Sequence, residues 1–76
     1  MSFKAINARN QFRGTIVRIN DGPVVSEVEI ETGAGLVAAV VTSSSLRNMN
    51  LRIGQDAVAV FKATEVMIAV PDGQIP

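Results

Sequence analysis

Apolar and polar positions alternate most cleanly over residues 24–32 (VVSEVEIET), where Val24, Ser26, Val28 and Ile30 share one face and Val25, Glu27, Glu29 and Glu31 the other. A period of two places successive side chains on opposite faces of a strand, so this stretch predicts a half-buried β-strand. Residues 12–19 (FRGTIVRI) predict an earlier strand, rich in β-branched Thr15, Ile16, Val17 and Ile19. Gly14 within it predicts a bulge or a close backbone approach. Asn20-Asp21-Gly22-Pro23 joins the two as a hairpin loop, and Gly33-Ala34-Gly35 makes the next turn. Residues 36–41 (LVAAVV) are apolar on both faces. Such a strand is covered on both sides, and in so small a chain the second cover is expected from another subunit. Hydroxyls at 42–45 suit a helix N-cap, and Leu46, Met49 and Ile53 follow at near-helical spacing. A helix over 43–49 is expected, closed near Asn50, a residue type that tolerates the left-handed cap position. Residues 56–62 and 65–70 predict two further strands, with a corner at Ala63-Thr64. Residues 1–10 show no sustained period, and the tail 71–76 (PDGQIP) is expected to fray. Five strands with one short helix between the third and fourth suit an all-β fold, a small five-stranded OB-like Greek-key barrel.

The chain has 76 residues, enough for one domain, and 47% of them are hydrophobic, with a mean hydropathy of +0.30. A core of this size is marginal, and oligomerisation is the usual remedy when other staples are missing. They are missing here, for the sequence holds no cysteine and no histidine. That removes disulfides, thiolate zinc sites, the commonest metal ligand and the commonest general base. No enzymatic constellation remains: the serines have no histidine to activate them, and no glycine-rich loop leads into Lys-Ser/Thr. Glu27, Glu29 and Glu31 read as a solvated acidic face that keeps a strand soluble rather than as catalytic acids. No secretory signal and no membrane-length apolar run is visible, so a cytoplasmic protein without membrane attachment is expected.

Seven basic and seven acidic residues give zero formal net charge, which argues against general nucleic-acid binding. The distribution is uneven, however. Lys4, Arg9, Arg13 and Arg18 stand in the first 18 residues without an acid, and Asp21, Glu27, Glu29 and Glu31 follow without a base. An anion site is therefore easier to assemble than a catalytic one. A tetrahedral oxyanion needs donors and positive charge, which arginine, lysine and turn N–H groups supply. The irregular stretch Asn7-Ala8-Arg9-Asn10-Gln11 and the corner Lys62-Ala63-Thr64 are equipped for this. Residue types alone favour the plainer reading of both, as surface charges and turn caps at element ends.

Two motifs change that balance. AINARNQFRGTIVRI resembles the opening SARNQLKGKV pattern of the molybdate-binding Mop proteins, the molbindins, and VFKATEVMIAV resembles their closing IKATEVMI pattern. The resemblance covers about residues 5–70 and identifies a single Mop/TOBE-type domain over 1–76. It implies an OB-like barrel and a homohexamer built as a trimer of dimers, with molybdate, and likewise tungstate, held at subunit interfaces. No organic cofactor and no side chain directly coordinating a metal are implied. Carried over, Arg9 meets the anion's charge, Lys62 meets it from a neighbouring chain, and the Ala8 and Ala63 backbone and the Thr64 hydroxyl lie beside it. Asn7 stands where the family carries serine; its amide still donates but is bulkier. Ala63 stands where relatives often place a small hydroxyl residue. The family has a second class of site near its three-fold axes, for which Thr42 and Ser43 are the candidates here, since helix-start N–H groups favour anions.

The function so implied is intracellular storage or buffering of molybdate. A nucleic-acid-binding OB module is the rival with least support, because the 4% aromatic content is all phenylalanine and offers little stacking. A structural or interaction module is supported by the doubly apolar residues 36–41 as well as storage is.

Overall fold

The computed structural model describes residues 7–73. Lys4, the first residues of the expected domain core at 5–6, and residues 74–76 of the tail lie outside that range.

Four strands form one antiparallel sheet in the order β3-β2-β1-β4: β1 (Asn10–Asn20), β2 (Val25–Thr32), β3 (Gly35–Thr42) and β4 (Asp56–Phe61). A six-residue helix α1 (Ser43–Asn48) lies between β3 and β4. The long β1 organises the sheet. Its first half pairs β4 (Asn10↔Phe61 to Thr15↔Asp56), its second half pairs β2 (Gly14↔Thr32 to Asn20↔Glu27), and only Gly14 and Thr15 face both partners. A strand that changes partner along its length rolls the sheet into a half-barrel, as an OB-like fold requires. Gly14 sits at that crossing. A Cβ there would lie 2.1 Å from the Glu31 carbonyl oxygen, so the close-approach reading of this glycine holds. The bulge falls further on, between Ile16 and Arg18, where Val17 is the extra residue.

β2 buries Ser26, Val28, Ile30 and Thr32 and turns Glu27 and Glu31 outward, as its alternation predicts. Thr32 closes the β2–β3 hairpin, donating to Gly35 O at 2.7 Å and accepting from Ala34 N at 3.1 Å. Helix α1 is capped by Thr42, whose hydroxyl accepts from Ser45 N at 3.0 Å, and Asn50 follows in the left-handed region at φ 55°. Of its expected apolar row, Leu46 is buried, whereas Met49 and Ile53 stay exposed.

The buried hydrophobic core is small: Ile16, Val28, Ile30, Leu46 and Ala59, with Ile19, Val37, Val41, Leu51 and Ala57 half-buried against it. Much apolar surface remains outside, including Leu36 and Val40 on the outer face of β3, at 59% and 71% exposure. The expected fifth strand differs most. After β4 the chain makes a single 3-10 turn, η1 (Ala63–Glu65), and residues 66–70 then run without a ladder partner among the described residues. The fold is thus the expected OB-like one with four strands in its sheet; the fifth segment has no ladder partner among the described residues.

Candidate functional site

The β1–β4 register decides where the candidate residues meet. Asn10 opposes Phe61 at the end of the ladder, so Arg9 and Lys62 are the next residues out from their respective strands. The two motifs, 53 positions apart in sequence, leave the same end of one two-stranded ribbon. That separation is the difference between positions 62 and 9. Asn7 and Arg9 are exposed, Ala8 is half-buried, and Lys62, Ala63 and Thr64 are all exposed. Two cationic side chains, an amide and a hydroxyl therefore share one solvent-facing end of the sheet.

Local contacts hold each half in place. Gln11 Nε2 donates to Ala8 O at 2.8 Å, which ties the irregular stretch back onto the start of β1. Gln11 was legible only as a polar neighbour; its role in shaping the stretch is a finding of the structure. On the other half, Glu65 N donates to Lys62 O at 2.9 Å and Val66 N to Ala63 O at 3.4 Å, which form the η1 turn. Behind both, the rings of Phe12 and Phe61 pack at a centroid distance of 5.6 Å and an interplanar angle of 53°. Tilted aromatic pairs of this kind stiffen a ribbon end beyond the burial of their area.

Thr42 and Ser43 belong elsewhere. Thr42 opposes Val25 at the far end of the β2–β3 ladder, beside the β1–β2 loop and thus at the opposite end of β1 from Arg9. The Thr42 hydroxyl donates to Ser45 Oγ at 2.8 Å in addition to capping the helix. Ser43 is wholly buried, donates to Gly22 O at 2.6 Å and lies 2.7 Å from Ser26 Oγ. Ser26 in turn donates to Asp21 Oδ1 at 3.0 Å. These hydroxyls fasten the β1–β2 loop to the helix, and their bonding capacity is used by the fold. Among the described residues, no group of three or more acidic residues could hold a metal ion.

With this geometry in hand, the kinship of the chain is clear. The TOBE domain model matches residues 6–68. A probable molybdenum-pterin-binding protein of Haemophilus influenzae is 39% identical over 66 residues, covering 86% of this chain and 96% of that protein. The chain belongs to the TOBE family, alongside the Mop proteins. The fold agrees: MopII from Clostridium pasteurianum superposes with a TM-score of 0.81 at 33% identity, covering 87% of this chain and all of that one. The cytoplasmic molybdate-binding protein ModG, in a form with molybdate bound, superposes with a TM-score of 0.72 at 47% identity. There the match covers 76% of this chain and 42% of ModG. The relatives are binding proteins, and this TOBE domain is a binding domain and not an enzyme.

Proposed function

We propose that this TOBE domain binds molybdate, and tungstate in the same way, and serves as a cytoplasmic store or buffer. The observation that carries the reading is the placement of Asn7-Ala8-Arg9 and Lys62-Ala63-Thr64 at one end of the β1–β4 ribbon. A site made of donors and positive charge suits a fully deprotonated tetrahedral dianion, and arginine with lysine supplies both. Tungstate shares the charge and shape of molybdate, so the same donors serve it. The description of ModG as cytoplasmic supports the compartment, and no helix among the described residues is long and apolar enough to cross a membrane.

The anion lies between subunits of a homo-oligomer, a hexamer arranged as a trimer of dimers, with each chain contributing a single domain over 1–76. Exposed apolar side chains on β3 and beyond β4 support association. In one chain Arg9 and Lys62 leave the same end of the β1–β4 ribbon, so a second chain docking at this end brings a second set of charges. Thr42 and Ser43 have no part in this reading, because the Ser43 and Ser45 N–H groups at the helix start already donate to Val24 O and Thr42 Oγ1. Isothermal titration of Arg9→Ala and Lys62→Ala tests the site. Each variant is expected to bind molybdate at least about tenfold more weakly with the oligomer intact, given roughly 1.5–3 kcal/mol for a hydrogen bond to a charged group. Normal binding by either would remove that residue from the site.

A further inference from the structure

Gln11 is the polar side chain near Arg9 that the molybdate reading leaves without a task. It is exposed, and its backbone is fixed in the β1–β4 ladder opposite Val60. Side chains alternate along a strand, so Gln11 stands on the face opposite to that of Asn10 and Phe12. From there its Nε2 reaches back along the chain and donates to Ala8 O at 2.8 Å. The other half of the site has a counterpart in the backbone bond from Glu65 N to Lys62 O at 2.9 Å. A carbonyl beside each cation is therefore held, at Lys62 by a main-chain N–H and at Arg9 by a side-chain amide. The ribbon end that anchors this amide is braced by the Phe12–Phe61 ring pair.

What the Gln11 bond fixes is an orientation. A peptide unit is planar, and in the trans form its C=O and N–H point in opposite directions. No peptide among the described residues is cis. With Ala8 O turned towards Gln11, the Arg9 N–H of the same peptide points away from the Gln11 side chain. Rotation of that one peptide would put a carbonyl oxygen where the donor stood, and for a dianion that turns an attraction into a repulsion. Ala8 and Arg9 lie before the first ladder pair, so strand pairing does not oppose the rotation.

We infer that Gln11 is a positioning residue of the anion site: it locks the Ala8–Arg9 peptide so that the Arg9 N–H, and not the Ala8 carbonyl, is presented to an oxyanion bound beside Arg9 and Lys62. The inference rests on the molybdate reading of that end of the ribbon. Gln11→Met tests it, since methionine keeps the length and the neutrality of the side chain and loses the donor. Molybdate affinity by calorimetry is expected to fall about fivefold, within the net worth of one hydrogen bond. The melting temperature and the oligomer mass are expected to stay those of the parent, because the bond is exposed.

Nitrogen-15 relaxation dispersion on the anion-free protein gives the readout that a purely structural role would not move. The Arg9 amide of the variant is expected to show exchange absent from the parent, with the Phe12 and Val60 amides unchanged, and saturation with molybdate is expected to quench it. A variant that binds as tightly as the parent overturns the inference. So does a variant that loses affinity while its Arg9 amide stays as quiet as the parent's, which would make Gln11 a direct contact of the anion. A parent that takes up no anion overturns the molybdate reading itself, whereas a parent that binds and a variant that binds equally overturns only the role of Gln11.

Discussion

Arg9 and Lys62 are ordinary residues made informative by position. Each is an exposed cation at the end of a strand, a placement that most surface arginines and lysines share. They leave the same end of the β1–β4 ribbon, just beyond the Asn10↔Phe61 pair; the motif pattern rather than the residue types singles them out in the sequence, with Lys62 expected to act from a neighbouring chain. Asn7 stands where the Mop pattern that the opening motif resembles carries serine. Replacing it by serine is expected to leave molybdate affinity equal or raise it, as read by calorimetry, because a hydroxyl donates with less bulk. A loss of tenfold or more would give the amide a role of its own. The Ser43 side chain illustrates the opposite case. The sequence offers its helix-start N–H as an anion donor; in the structure that N–H donates to Val24 O, and the hydroxyl is buried against Ser26 and the Gly22 carbonyl. Burial depends on what the β1–β2 loop does after folding, which no local pattern encodes. Ser43→Ala is expected to destabilise the domain by about 1–3 kcal/mol in denaturant melts, by stranding buried partners, while leaving anion affinity unchanged.

At the scale of elements, alternation made β2 legible to within a residue, and the run of hydroxyls before Leu46 made α1 legible with its Thr42 cap. The sequence of β3 is apolar on both faces, and the structure leaves its Leu36, Ala38 and Val40 face outward. That is the face for which a second subunit was expected to provide cover. The double pairing of β1 was not legible, because a change of partner along one strand is a property of the sheet. Gly14 was its only trace. Gly14→Ala is expected to lower stability by roughly 1–3 kcal/mol, the usual cost of overpacking, since its Cβ would meet the Glu31 carbonyl at 2.1 Å. A variant as stable as the parent in thermal melts would show that β1 and β2 can separate locally at little cost. Residues 65–70 carry strand propensity that the sequence displays plainly, but propensity does not name a partner, and none of the described strands takes that role.

As a whole molecule, the chain is half of a barrel with a cationic end. Among the described residues five buried hydrophobic side chains make a thin core for a chain in which 47% of residues are hydrophobic, an imbalance that the proposed association would relieve. On the reading proposed above, a second chain docks at the cationic end of the β1–β4 ribbon, which joins anion binding to assembly. Membership of the TOBE family and the likeness to MopII and ModG fit that picture of a binding domain. The most direct test of the central claim is calorimetric titration of the full chain with molybdate, tungstate and sulfate, with its mass recorded under native conditions. The account predicts an oligomer that takes up molybdate and tungstate reversibly, without turnover, at a fixed number of anions per assembly. An oligomer that gives no binding heat with molybdate at micromolar protein, and retains no anion through desalting, would contradict it.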